Sequence, residues 1–181
     1  MKIMRLITFF AGIFLFSTAY ALLDSGSSAP EFEVSSGEGT GINMGTLKGK
    51  VVTIFYETKD KEVVEKNRHI KKELNLFYRQ QSDSIQRQIS RVAIIDCRKA
   101  FWPFKKIWKK NLVENSLKEG LTIYGDWDGI FAKNYQTADG ETNFIVIDKK
   151  GVIRFSKTGM IEKNETGKIK MLLEILLKEE Q

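Results

Sequence analysis

The chain has 181 residues, 42% of them hydrophobic and 29% charged, and a formal charge of +6. This is material for one ordinary domain with a core, and it excludes wholesale disorder. One Cys and one His exclude an internal disulfide, a Cys-x-x-Cys redox pair and a one-chain structural zinc site. No glycine-rich phosphate loop occurs, and neither a cofactor nor a metal is expected.

Lys2 and Arg5 start the chain, Leu6 to Phe16 is apolar except for Thr8, and Ala19-Tyr20-Ala21 forms a small-x-small cleavage signal. This layout predicts a secretory signal peptide over residues 1–21. The apolar run is shorter than the roughly 20 residues a spanning helix needs, and an uncleaved anchor is the alternative. Cleavage after Ala21 removes Lys2 and Arg5 and lowers the formal charge from +6 to +4. The exported chain could use disulfides but does not, so its stability rests on core packing.

Residues 22–28 are small and polar and read as a flexible segment ahead of a domain over 29–181. Val51 to Tyr56 is a continuous β-branched and aromatic run, as in a strand buried on both faces. Asp60 to about Ser84 is predicted as one amphipathic helix, with Val63, Ile70, Leu74 and Phe77 on its apolar face. Val92 to Asp96 is a second buried strand, and Pro103 suits the first turn of a helix reaching about Leu117. Leu121 to Tyr124 is a short extended piece, and Gly129 to Tyr135 one or two helical turns. Asn143–Asp148 and Val152–Phe155 flank Lys149-Lys150-Gly151 as a hairpin. Asn164 is a candidate N-cap for a last helix presenting Ile169, Leu172, Leu173 and Leu176. Strands alternating with helices favour right-handed crossovers in a layered α/β sheet.

Several stretches resemble the thioredoxin-like superfamily, above all its peroxiredoxin and thiol-disulfide branches. They are Ala29-Pro30-Glu31-Phe32, Leu47 to Val52 leading into Phe55-Tyr56, Asp126-Trp127-Asp128-Gly129 to Tyr135, and Phe144 to Gly151. The resemblance implies a three-layer sandwich, a central mixed sheet with helices on both faces and a C-terminal β-hairpin plus helix. Redox members carry a Cys or Cys-x-x-Cys just after the first core strand, and a cis-proline just before the hairpin. Here Glu57 to Val63 holds no Cys and Gly140 to Asn143 no Pro, so both halves of that redox site are missing. Within the superfamily the chain resembles the YtfJ-like group of exported bacterial proteins. That resemblance implies a periplasmic protein with no assigned reaction.

Cys97 is the candidate catalytic residue. Arg98 and Lys99 would favour its thiolate if they fold toward it; otherwise it is a small apolar residue at a strand end. The segment Phe101 to Lys110 is the candidate interaction surface. Its helix is expected to turn Phe104, Ile107, Trp108 and Leu112 into the core and Lys105, Lys106, Lys109 and Lys110 to solvent. Phe101 and Trp102, ahead of the helix, are candidate contact aromatics. Asp126-Trp127-Asp128 begins like a calcium loop but lacks the later ligands, so a turn and helix cap is expected. His69 reads as a surface histidine without a catalytic partner.

These features favour a redox-inactive domain that binds a protein or small-molecule partner and no nucleic acid. The alternatives are a one-Cys thiol oxidoreductase or peroxidase-like enzyme using Cys97, and an adaptor touching an anionic membrane surface weakly through the lysine face.

Overall fold

The computed structural model describes residues 22–179; the signal-peptide segment lies outside the described residues. The buried β-branched runs form the centre of one seven-stranded sheet. In chain order its strands are β1 (Glu33–Ser36), β2 (Gly41–Asn43), β3 (Val51–Glu57), β4 (Ile89–Asp96), β5 (Ile123–Asp126), β6 (Asn143–Ile147) and β7 (Ile153–Thr158). Across the sheet the order is β2-β1-β5-β4-β3-β6-β7. β3, β4 and β5 run parallel, whereas β6, β7, β1 and β2 join antiparallel. The sheet is therefore mixed, with helices on both faces and a β6–β7 hairpin leading to the last helix, as expected.

The helices are α1 (Met44–Leu47), α2 (Lys61–Lys66), α3 (Arg68–Arg79), α4 (Asp83–Gln86), α5 (Lys105–Glu119), α6 (Ile130–Tyr135) and α7 (Lys163–Lys178). Alternation along each strand divides the core in two. Val52, Ile54 and Tyr56 of β3 and Val92 and Ile94 of β4 pack with Phe131 and Tyr135 of α6. Val51, Phe144 and Val146 pack on the opposite face, with Ile70 and Leu74 of α3 and Ile169 and Leu173 of α7.

Several expectations need correction. Residues 22–28 are not a loose lead-in: Leu22 is buried, and Gly26 and Ser27 exchange backbone hydrogen bonds with Ile153 at 2.7 and 2.8 Å. The helix expected over Asp60–Ser84 is three helices. It breaks at Asn67, whose buried side chain donates to the Gly159 carbonyl and accepts from Ile161 N–H, both at 2.8 Å. A long-range pair of hydrogen bonds thus outweighs local helix continuity. The last helix is capped by Glu162 rather than Asn164, which lies inside it.

The Trp102–Pro103 peptide is cis. A cis-proline is therefore present, but in the turn before α5 and not before β6.

Candidate functional site

The C-terminal ends of parallel strands are where open α/β sheets usually carry their chemistry. Here the ends of β3, β4 and β5 hold Glu57, Cys97 and Asp126.

At the end of β3, Glu57 is buried beneath Lys71 of α3, whose Nζ lies 2.6 Å from Oε2. The Thr142 hydroxyl is 3.1 Å from Glu57 Oε1 and equally far from the Val63 carbonyl. Burial pushes the Glu57 carboxyl up, and the Lys71 charge and the two hydrogen bonds only partly pull it back. Thr142 immediately precedes β6, the position of the cis-proline in redox members. A carboxylate, an ammonium and a hydroxyl therefore join the two places that a redox site would use. Sequence reasoning noted the missing Cys and Pro but did not single out Glu57, Lys71 or Thr142. The signal available was a Glu ending an otherwise apolar strand run.

Cys97 follows β4 and is fully buried. Its N–H donates to the Asp126 carbonyl at 3.0 Å. The thiol packs on the Gly125 backbone so closely that a Cβ there would lie 2.9 Å from Sγ and 2.7 Å from the Trp127 ring. Burial, reinforced by the Asp96 and Asp126 charges, pushes the thiol up to about 12. Arg98 does not support a thiolate: its guanidinium turns away to Asp96 and Asp139. The geometry is that of a buried, closely packed thiol.

Asp126 caps α6. Its carboxylate accepts from Ala132 N–H at 3.0 Å, Phe131 N–H at 3.4 Å and the Tyr56 hydroxyl at 3.2 Å. Asp128 accepts from Ile130 N–H at 3.1 Å. The Asp-x-Asp segment thus serves as the turn and cap expected of it. His69 is not a free surface residue; its Nε2 lies 2.8 Å from the Ile161 carbonyl.

The expected burial of α5 requires the largest correction. Among its residues only Leu112 is buried; Phe104 and Ile107, expected in the core, are exposed. The helix is seated at the β1–β5 side of the sheet. A Cβ at Gly37 would collide with the Lys109 carbonyl, and Ser116 Oγ accepts Ile123 N–H at 2.9 Å. The Phe104–Ile107–Trp108 side is left facing a gap. Of the candidate interaction residues, Trp102 is 87% exposed and Phe101 is exposed, with Phe101 edge-on to Phe104. Lys105 and Lys109 stand 5.3 and 5.9 Å from the Trp127 ring centre. Lys110 lies 3.7 Å from Glu114, and Lys106 is exposed.

That gap is a groove of about 930 Å³ between α3 and α5. Phe55, Ala93, Ile95 and Ile123 form its half-buried floor, and Leu74, Ile107, Trp108 and Leu112 line its walls. Glu57 and Lys71 lie at its margin, so the position corresponding to a redox centre opens onto it.

No protein-family model and no curated protein sequence matches the chain. Solved structures do. A Bacteroides thetaiotaomicron protein described as a protein disulfide isomerase superposes with a TM-score of 0.63 at 20% identity, over 87% of this chain and 92% of that one.

The fold is thioredoxin-like.

Two further neighbours extend this likeness. The exposed lipoprotein thioredoxin of Streptococcus pneumoniae superposes with a TM-score of 0.60 at 16% identity, over 81% of this chain and all 100% of that one. The thioredoxin domain of a Bacteroides vulgatus thiol-disulfide oxidoreductase gives 0.59 at 15%, over 83% and 99%. The thioredoxin-like fold of this chain is thus shared with thiol-disulfide oxidoreductase-type proteins, whereas its own sequence holds one cysteine.

Proposed function

We propose that this chain is an exported, periplasmic, redox-inactive thioredoxin-like domain that works by binding, in the manner of the YtfJ-like group. One observation carries the reading: the end of β3, where redox members hold their nucleophile, is occupied by Glu57 bound to Lys71 and Thr142. A carboxylate paired in this way cannot exchange disulfides. The inert surroundings of Cys97 add support, because a thiol must ionise and meet its substrate to react. The groove beside Glu57 offers a binding surface in place of a reaction centre. The exposed Phe101, Trp102 and Phe104 beside Lys105 and Lys106 form an apolar and basic edge that would also suit weak contact with an anionic membrane surface.

The decisive experiment is alkylation of Cys97 in the folded protein from about pH 5 to about pH 10. Slow labelling at every pH, accelerating only in denaturant, is expected. Fast labelling with a midpoint below the ordinary thiol value of about 8.5 would overturn the reading and return Cys97 to the role of nucleophile.

A further inference from the structure

The groove between α3 and α5 has a chemistry that selects a ligand class. We propose that it binds a soluble amphiphile with a single apolar chain and a carboxylate head. The chain lies along the floor of β4, and the head meets cations at the margin. This deepens the reading of the protein as a binding module and rests on it.

The floor is the first argument. β4 is an interior strand of the sheet, and such strands are ordinarily covered on both faces. Val92 and Ile94 are buried by the opposite layer, whereas Ala93 and Ile95 are only half-buried. α3 packs against α7, and α5 against β5 and β1, so neither helix closes the space between them. A recessed apolar surface of this kind marks a ligand site, and about 930 Å³ lies within the roughly 300–1,000 Å³ of small-molecule sites.

Charge is the second argument. Seven cationic side chains line the groove against two carboxylates, Glu57 and Glu119. Glu57 is paired with Lys71. Lys59, Lys61, Lys72 and Lys99 form no ion pair among the described residues. Lys59 and Lys99 follow β3 and β4, Lys61 opens α2 and Lys72 lies in the second turn of α3, so all four belong to the segments at or just beyond the C-terminal strand ends. Lys59 also lies 4.7 Å from the Trp108 ring centre, joining the charged margin to the apolar wall. A second copy of this chain carries the same positive charge and would be repelled from that rim. An anionic head with an apolar tail satisfies margin and floor together.

The test uses the intact protein and dodecanoate, with dodecyltrimethylammonium as the probe of equal chain and opposite charge. Calorimetry should give saturable dodecanoate binding that weakens with salt, and binding of the cation at least about tenfold weaker. Lys61→Glu with Lys72→Glu should weaken dodecanoate binding about tenfold; both sites are exposed, so the fold is unaffected. Ala93→Trp should block the floor. Equal binding of both probes, binding of neither, or a dimer in solution that covers the groove would overturn the proposal. Alkylation of Cys97 in the same sample keeps the two ideas apart. A fast thiol with dodecanoate bound refutes redox inactivity alone, and a slow thiol without binding refutes the ligand class alone.

Discussion

On one side of β4, Val92 and Ile94 are only 2% and 0% exposed; on the other, Ala93 and Ile95 are half-buried beside an open groove. The four residues are consecutive and similar in hydrophobicity. What separates them is the cover above each face. α6 and the N-terminal segment close one side with Phe32, Phe131 and Tyr135, whereas α3 and α5 stand apart over the other. The same strand therefore supplies a core on one face and the floor of a groove on the other. Folding stability should concentrate on the first and ligand contact on the second.

The sharpest way to break this comparison is truncation of neighbours. Ile94→Ala should cost about 2–5 kcal/mol, the usual range for a fully buried Ile. Ile95→Ala should cost about 1 kcal/mol, because water already reaches its side chain. Denaturant midpoints at constant slope measure both, and equal losses would mean that the groove is closed in solution.

A smaller effect probes the packing around Cys97. Gly125→Ala places a methyl 2.9 Å from Sγ and against the Trp127 ring. The expected loss is about 1–3 kcal/mol. Adding Cys97→Ala should recover part of it, because the smaller side chain vacates the space that the methyl needs. A fully additive double variant, seen in the same unfolding curves, would show that Sγ is not the obstacle.

The smallest effect is a difference in sign between two carboxyls near the strand ends. Burial holds Asp126 above the ordinary carboxylate range despite the Ala132, Phe131 and Tyr56 donors. Burial also raises Asp96, but the Arg98 hydrogen bonds and charge prevail and leave it lowered. The folded state thus holds the Asp126 proton more tightly than the unfolded chain does. Its contribution to stability is complete below the ordinary carboxylate pKa and is lost as pH rises through the raised value. The Asp96 contribution is complete above the ordinary pKa and is lost as pH falls through the lowered one. Unfolding of wild type, Asp126→Asn and Asp96→Asn across the acid range should show wild-type-minus-variant differences that change in opposite directions. Parallel changes would refute the assignment.

Much of the fold was legible because local patterns match their environment. Val51 to Tyr56 is a β-branched and aromatic run and Phe144 to Ile147 an apolar one, and they became central strands buried along almost their whole length. The pair β1 and β2 escaped notice because Glu33-Val34-Ser35-Ser36 offers one large apolar side chain in four. That strand exists through pairing with β5, a partner some ninety positions away. The break at Asn67 was likewise settled by distant backbone groups, whereas the cap at Glu162 is a local capping box closed with Glu165. In the candidate site, the lack of a redox pair was plain from the residues themselves. The Glu57–Lys71–Thr142 cluster was not, since its members meet only when β3, α3 and the loop before β6 converge.

The sequence by itself determined that the apolar central runs can be strands and that no second cysteine of this sequence can partner Cys97. Both follow from residue identity and from periodicities spanning a few positions. Only the tertiary structure decided that Cys97 is sealed under Gly125 and Trp127, that Arg98 turns from it, and that the apolar side of α5 faces a groove rather than the core. Whether an apolar side chain is covered depends on the distance between two packed helices. That distance is set by contacts such as Gly37 against Lys109 and Ser116 against Ile123, which no local pattern encodes.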